Sequence, residues 1–175
     1  GRSGVAGVTR EMGTTACRAD RARLGKCWDI LMGADLSVAS PLLSILETVL
    51  YARDLVATEE FYRRVLGLQP IAVVPGRHVF FRCGEQMLLI FNPEATRHPP
   101  KPGALPVPPH GMEGEGHVCF RVTADDLDVW RSKLPELGVE IEADFEWPKG
   151  GHSIYFRDPA GNCLELAEAR IWGIS

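Results

Sequence analysis

The sequence contains one pattern of predicted elements twice, and this repeat is its strongest constraint on folding. Residues 47–91 and 117–167 each contain a short apolar strand, an amphipathic helix that ends in Leu-Gly, and a further run of strands. A shared Phe-Arg dipeptide, at positions 81–82 and 156–157, aligns the two copies. Each copy is too short to bury a core of its own, so the repeat predicts two half-domains that pack against each other.

Helix and strand signals follow the same order in both copies. Asp54 is the predicted N-cap of the first helix, and Gly67 its C-terminal stop. Thr123 to Asp126 marks the start of the second helix, which ends at Gly138. Each copy is therefore predicted as a βαβββ unit of an α+β fold. Runs of β-branched and aromatic residues bounded by turn residues predict strands at 45–52, 69–74, 78–82, 86–91, 117–122, 139–145, 152–156 and 162–167.

Charge and composition exclude several classes of protein. A formal net charge of −4 argues against a nucleic-acid-binding surface, which needs a basic patch. No stretch reaches the roughly 20 consecutive apolar residues of a membrane span. The cysteines are odd in number and form no Cys-x-x-Cys pair, so reduced thiols in a cytoplasmic protein are predicted. These cysteines are Cys17, Cys27, Cys83, Cys119 and Cys163.

The chain is predicted to consist of an N-terminal extension and one domain. Residues 1–40 lack the apolar core of a secretory signal and are predicted to be disordered or partly helical, with a possible helix at 20–31. The long segment between the repeats is rich in proline, and such loops often border a binding site. The predicted organisation is a domain at 41–175, with repeats at about 45–91 and 115–168 and a Pro-rich connecting loop at 92–114.

Several motifs in this order resemble one known superfamily. They are the strand and turn at 47–55, FYRRVLGL at 61–68, the strand opened by His117, and YFRDPAGNCLELAE at 155–168. Together they resemble the glyoxalase, bleomycin-resistance and extradiol-dioxygenase superfamily, also called the vicinal oxygen chelate superfamily, over about residues 44–172. The resemblance implies two βαβββ repeats that form a curved mixed sheet around a metal or ligand cavity. Because that scaffold serves isomerases, thiol transferases, oxygenases, epimerases and drug-sequestering proteins, function depends on the site.

The resemblance implies metal ligands in the first and last strands of each repeat. Aligning the copies places Glu47 opposite His117, and counting from the turn glycines places Leu88 opposite Glu165. A four-ligand glyoxalase arrangement would have a carboxylate at Leu88, and its absence argues against that activity. The expected ligands of a divalent ion are Glu47, His117 and Glu165, and Mn²⁺, Fe²⁺, Ni²⁺ and Zn²⁺ are all compatible with them.

Each predicted ligand also has a structural alternative. Glu47 fits a carboxylate at a strand edge that faces water, and His117 fits a hydrogen-bonded core histidine. Glu165 lies between two leucines, so strand alternation turns its carboxylate to the opposite face from theirs. If that face is concave, the carboxylate needs a cation, because an unpaired buried charge costs several kcal/mol.

Strand alternation also predicts the substrate-binding walls of the site. Aromatic, hydroxyl and guanidinium groups at alternate positions of two equivalent strands suit a small anionic or aromatic ligand. The arginines of this set either line the pocket or end their strands in solvent, and solvent is the favoured outcome. His98 and His110, in the Pro-rich loop, are either residues of a lid or exposed side chains, and exposure is favoured. The predicted substrate-binding residues are Ser153, Tyr155, Arg157, His78, Phe80 and Arg82.

Two functions from different classes follow. The first is a metal-dependent lyase, isomerase or oxygenase in which the ion chelates adjacent oxygens of a small substrate and Glu165 or Glu47 moves a proton. Oxygenase chemistry is less favoured, because non-haem iron oxygenases usually pair two histidines with one carboxylate. The second is a non-catalytic small-molecule binding or drug-sequestering protein. By resemblance, the chain is expected to form a homodimer. Its charge and hydropathy predict that it binds neither nucleic acid nor membrane.

Overall fold

The computed structural model describes residues 42–174, so the predicted helix at 20–31 and the predicted domain boundary near residue 41 lie outside the described residues. The described residues from position 44 onward form one compact unit. Its elements follow the order predicted from the repeat. They are β1 (Glu47–Tyr51), α1 (Leu55–Arg64), β2 (Pro70–Val74), β3 (His78–Cys83), β4 (Gln86–Phe91), α2 (Pro93–Thr96), β5 (His117–Val122), α3 (Ala124–Glu136), β6 (Ala143–Glu146), β7 (His152–Arg157), β8 (Cys163–Glu168) and a 3₁₀ helix (Ala169–Trp172).

Within the described part of the chain, the strands form two four-stranded mixed sheets with the same topology. The first has the order β1-β4-β3-β2 and the second the order β5-β8-β7-β6. In each sheet the first strand of the repeat runs parallel to the last, and the other neighbours are antiparallel. The predicted α+β class and the two βαβββ repeats are confirmed.

Local sequence signals set the ends of both long helices. The Asp54 carboxylate accepts hydrogen bonds from two backbone N–H groups in the first turn of α1. Thr123 and Asp126 form a reciprocal capping box at the start of α3. Gly67 and Gly138, which follow the two helices, have φ angles of +69° and +73°, a region that favours glycine. These predicted start and stop signals are confirmed.

Both repeats contribute to one hydrophobic core. Leu50, Phe81 and Ile90 from the first sheet and Phe156 and Leu164 from the second are nearly inaccessible to solvent and belong to the same cluster. Successive strand residues point to opposite faces, so one face of each sheet is committed to this core. The opposite face of each sheet, called here its open face, points away from the core.

A buried polar network also joins the repeats. The Tyr62 hydroxyl of α1 donates to Oδ2 of Asp158, in the turn between β7 and β8, at 3.0 Å. Asn162, in the same turn, donates through Nδ2 to the Tyr51 carbonyl at 3.1 Å and accepts from the Gly116 N–H at 2.8 Å. The DPAGN segment, predicted as a turn, therefore also holds β1 beside the start of β5.

Most predicted strand ends lie within one or two residues of the observed ones, and two larger differences stand out. The strand predicted at 139–145 begins only at Ala143, because the backbone N–H of Val139 is used to close the end of α3 on the Leu134 carbonyl. The Pro-rich loop contains the short helix α2, whose first N–H is capped by the Asn92 side chain. Within residues 42–174, no helix has the length and apolar character needed to cross a membrane.

Candidate metal and substrate site

The open face of the second sheet carries a cluster of polar side chains. Glu165 of β8 is paired in register with Cys119 of β5 on one side and with Tyr155 of β7 on the other. His117 and Ser153 each lie two residues along their strand from one of these partners, so they share the same face. The sheet register therefore brings together four of the residues that the sequence predicted for the site: His117, Glu165, Ser153 and Tyr155.

Glu165 is a buried carboxylate with a specific hydrogen-bond donor. Its exposed fraction is 5%, and the Ser153 hydroxyl donates to its Oε1 at 2.6 Å. Ser153 itself is fully buried and accepts a hydrogen bond from the indole Nε1 of Trp147 at 2.8 Å. Ser153 was predicted to contact substrate, whereas in the structure its hydroxyl lies between Trp147 and Glu165.

The orientation of the His117 ring is set by the backbone. Its Nδ1 lies 3.0 Å from the carbonyl oxygen of Cys163, which can only accept, so Nδ1 carries the hydrogen. In the neutral ring Nε2 is then an acceptor, and it lies 3.3 Å from Oε2 of Glu165. A lone pair and a carboxylate oxygen thus face each other, an arrangement that a cation or a proton stabilises. The His117 side chain is 51% exposed and that of Glu165 is 6% exposed, so solvent reaches the pair from the His117 side.

Two further groups beside Glu165 hold their protons strongly. Desolvation and the neighbouring Glu165 carboxylate raise the pKa of Tyr155 to about 12. Desolvation by the surrounding sheet and the same carboxylate raise the pKa of Cys119 to about 12, although Cys119 lies on the exposed side of β5. At neutral pH both groups are therefore uncharged and keep their hydrogens beside the Glu165 side chain.

The open face of the first sheet carries the other half of the predicted set. Glu47 is exposed at the start of β1 and is paired with Met87 of β4. The predicted residues His78, Phe80 and Arg82 alternate along β3 and share this face, Arg82 pairing with Met87. In the register of the first sheet, these three residues are equivalent to Ser153, Tyr155 and Arg157 of the second sheet, as predicted.

The position equivalent to Glu165 is Leu89, and the prediction of Leu88 is wrong. Leu89 pairs with Phe80, as Glu165 pairs with Tyr155, whereas Leu88 is directed into the core with an exposed fraction of 2%. Counting from the glycines failed because Met87, the counterpart of Cys163 in the register, lies three residues after Gly84, whereas Cys163 lies two residues after Gly161. A slip of one residue moves a side chain to the other face of a sheet. The fourth ligand position still holds leucine.

Aromatic side chains cover much of the first open face. His78 stacks on Phe80 with ring centroids 4.0 Å apart, and Phe80 meets Phe91 edge-on at 5.1 Å. His110, expected to be exposed, instead packs edge-on against Phe91 at 4.8 Å and lies 2.7 Å from the Tyr51 hydroxyl. The Pro-rich loop therefore returns to this face. Burial, together with the neighbouring Arg77, lowers the pKa of His78, which favours its neutral form.

Arg157 is occupied by acidic partners. Its guanidinium contacts Glu142 at 3.0 Å and Glu115 at 2.9 Å, so it is neutralised at the end of β7. Arg82 is exposed at the corresponding end of β3. The alternative that both arginines lie at strand ends, outside the centre of the site, agrees with these positions.

The three predicted metal ligands are not assembled within one chain. Among residues 42–174, no three His, Cys, Asp or Glu side chains are arranged to hold a metal ion. His117 and Glu165 meet on the second open face, while Glu47 lies on the first. Both faces turn away from the common core, so the predicted ligands are divided between two separate faces of the chain.

Trp147 was absent from the predicted site residues, and for His110 exposure was favoured over a position in a lid. A sequence signal for Trp147 was present, because it lies two residues after Phe145, at the end of β6, and strand alternation therefore predicts both rings on one face of the sheet. In the structure the Phe145 ring stacks on Tyr155. His110 had no such signal, because a histidine in an irregular loop has no periodic neighbours.

A family model and known proteins agree with this geometry. The model described as Glyoxalase/Bleomycin resistance protein/Dioxygenase superfamily matches residues 44–166. The chain belongs to this superfamily. Among solved structures, a lactoylglutathione lyase from Agrobacterium tumefaciens is 43% identical with a TM-score of 0.74, and the alignment covers 77% of this chain and 100% of that one.

Two curated relatives match over shorter segments. The metallothiol transferase FosB of Bacillus licheniformis is 39% identical over 51 residues, which are 29% of this chain and 33% of the relative. The fosfomycin resistance protein FosX of Listeria innocua is 33% identical over 63 residues, covering 31% of this chain and 47% of the relative. The chain thus matches less than half the length of either curated relative.

Proposed function

We propose that this superfamily member is a metal-dependent enzyme that binds a small substrate through adjacent oxygen atoms. His117 and Glu165 of one chain would hold a divalent ion, with Glu47 of a second copy as the third ligand. The observation that carries this proposal is the Nε2 atom of His117, directed by the Cys163 carbonyl at Oε2 of a buried Glu165. A ring N–H bonded to a backbone carbonyl is the usual support of a metal-binding histidine.

The donor set fits a divalent transition metal. One imidazole nitrogen and two carboxylates suit Mn²⁺, Fe²⁺, Ni²⁺ or Zn²⁺, and leucine at position 89 leaves coordination positions for substrate. When bound, such an ion supplies Lewis-acid polarisation of the substrate oxygens. Two carboxylates neutralise its charge, which makes it a weak activator of water and favours proton transfer over hydrolysis.

The remaining site residues would bind substrate and move the proton. The Tyr155 phenol, protonated at neutral pH, is a hydrogen-bond donor beside Glu165. The carboxylates of Glu47 and Glu165 are the candidate proton carriers. A lyase or isomerase reaction requires this proton movement, and the 43% identity to a protein named lactoylglutathione lyase supports that class. The aromatic open face with His78 and Phe80 would form the apolar wall.

A homodimer is part of this proposal. Glu47 and the His117–Glu165 pair lie on separate open faces, so a second copy that places its first sheet over the second sheet would complete the ligand set. The same contact would cover the aromatic side chains of the first open face. A site between two sheets also excludes water from the substrate, which strengthens the electrostatic interactions.

Metal content tests the proposal. The full chain is loaded with Mn²⁺, Ni²⁺ or Zn²⁺, freed of excess ion, and measured by elemental analysis. About one ion per chain is expected for the wild type, with loss in Glu165→Gln and His117→Ala. Glu168→Gln is the matched control, because this carboxylate, on the same strand, is paired with Arg170. A wild type that binds no ion would overturn the proposal in favour of a binding or sequestering protein, the alternative that the leucine at position 89 supports.

A further inference from the structure

We infer that Ser153 and Trp147 are positioning residues that orient Glu165 as a metal ligand, an inference that rests on the proposed function. The two residues and the carboxylate form one hydrogen-bond chain, from Trp147 Nε1 to Ser153 Oγ at 2.8 Å and from Ser153 Oγ to Glu165 Oε1 at 2.6 Å. These hydrogen bonds end on Oε1 of Glu165, whereas Oε2 is the oxygen that faces His117.

The direction of this hydrogen-bond chain is fixed by the indole. Tryptophan has an N–H donor and no acceptor, so the Ser153 oxygen must accept from it. The single hydroxyl proton of Ser153 is then free for Glu165 Oε1, and the short distance agrees with a charge-assisted bond. With Oε1 held, Oε2 is the oxygen left to meet a cation beside His117.

The turn between β6 and β7 holds Trp147 in place. Its backbone N–H donates to the Gly151 carbonyl, and its own carbonyl accepts from the Gly150 N–H, both at 2.8 Å. Gly151 has a φ of +90°, and a Cβ there would lie 2.5 Å from Ile171, so only glycine fits this turn. The conformation of the turn is thereby linked to the orientation of the proposed metal ligand.

Metal affinity is the first test. Divalent Mn²⁺, Ni²⁺ or Zn²⁺ is titrated into the metal-free full chain by calorimetry. Ser153→Ala is expected to weaken binding about 10- to 100-fold, the usual effect of losing a partner of a metal ligand. Ser153→Thr keeps the hydroxyl and is expected to retain most of the affinity. Ser132→Ala, on the exposed surface of α3, is the matched control and is expected to bind as the wild type does.

Trp147→Phe keeps the inference testable if Ser153→Ala fails to fold. It removes the N–H donor and retains an aromatic ring, so a loss of about three- to tenfold in metal affinity is expected. Indole fluorescence gives an independent signal: Ni²⁺ or Mn²⁺ is expected to quench the wild type and Trp130→Phe, but not Trp147→Phe. Trp130 lies on α3 under Lys133 and is the matched control.

The outcomes separate this inference from the proposed function. Unchanged metal affinity in both Ser153→Ala and Trp147→Phe would overturn the positioning role and leave the metal site standing. Equal quenching of Trp147→Phe and the wild type would also count against the inference. A wild type that binds no divalent ion would overturn the proposed function and this inference with it.

Discussion

The Tyr62 hydroxyl donates a hydrogen bond of 3.0 Å to Oδ2 of Asp158, which links helix α1 of the first repeat to the β7–β8 turn of the second. Both groups are buried, and Asp158 also organises its own turn by accepting from the backbone of Ala160 and Asn162. The two half-domains are therefore joined by a polar contact as well as by shared apolar packing.

Removal of this contact should destabilise the whole domain. Tyr62→Phe leaves a buried carboxylate oxygen with one donor fewer, and a loss of about 1–3 kcal/mol in the free energy of unfolding is expected. Urea denaturation followed by circular dichroism measures it. Tyr51→Phe, which removes a partly buried hydroxyl bond to His110, is the control and should cost less. Equal losses in the two variants would show that the buried hydrogen bond stabilises the fold no more than the partly buried one.

The same hydroxyl predicts a loss of stability at high pH. Burial, followed by the neighbouring Asp158 carboxylate, raises the pKa of Tyr62 well above its ordinary value of 10.0. The folded state then binds the proton more tightly, so the stabilisation is complete below pH 10 and is lost as the pH rises towards the folded pKa. The free energy of unfolding, measured between pH 8 and about 11.5, should fall more steeply with pH for the wild type than for Tyr62→Phe. Parallel curves would contradict the assignment.

Mixing two defective variants should restore one metal site per dimer. Glu47→Gln lacks the ligand of the first sheet, and His117→Ala lacks one of the second. If each site joins Glu47 of one chain to the His117–Glu165 pair of another, a mixed dimer has one intact site and one doubly defective site. The two variants are co-refolded, the mixed dimer is isolated by different affinity tags, and bound metal is counted. About one ion per mixed dimer is expected, against almost none for a site built within one chain.

A carboxylate at Leu89 should behave unlike one at Leu88. Leu89→Glu places the new group on the open face that carries Glu47, so the variant should be unstable in a chelator and recover its melting temperature when Mn²⁺ or Zn²⁺ is added. Leu88→Glu places it in the core, where an unpaired charge costs several kcal/mol, and metal should give no recovery. Thermal unfolding with and without metal compares them. If metal raised the melting temperature of Leu88→Glu and not of Leu89→Glu, the assignment of Leu89 as the counterpart of Glu165 would be wrong.

Signals between near neighbours in sequence predicted most of the architecture. Asp54 and the Thr123–Asp126 box act within one helical turn, and the alternation around Glu165 is a property of one strand, so each could be inferred without the rest of the chain. The start of β6 was misjudged because Val139 is claimed by the end of the preceding helix. When two adjacent elements compete for the same residue, tertiary packing decides the outcome, and the strand propensity of the residue cannot predict it.

By itself the sequence determined the repeat, the α+β class and the face of the strand on which Glu165 lies, because helical and strand periods are local. Only the tertiary structure decided that Leu89, and not Leu88, is the counterpart of Glu165, since register depends on how a whole sheet pairs. It also decided that Ser153 is buried against Glu165, and that Glu47 lies on a different face from His117. These relationships arise between residues far apart in the chain, where only the packing of complete sheets around one core sets which side chains meet.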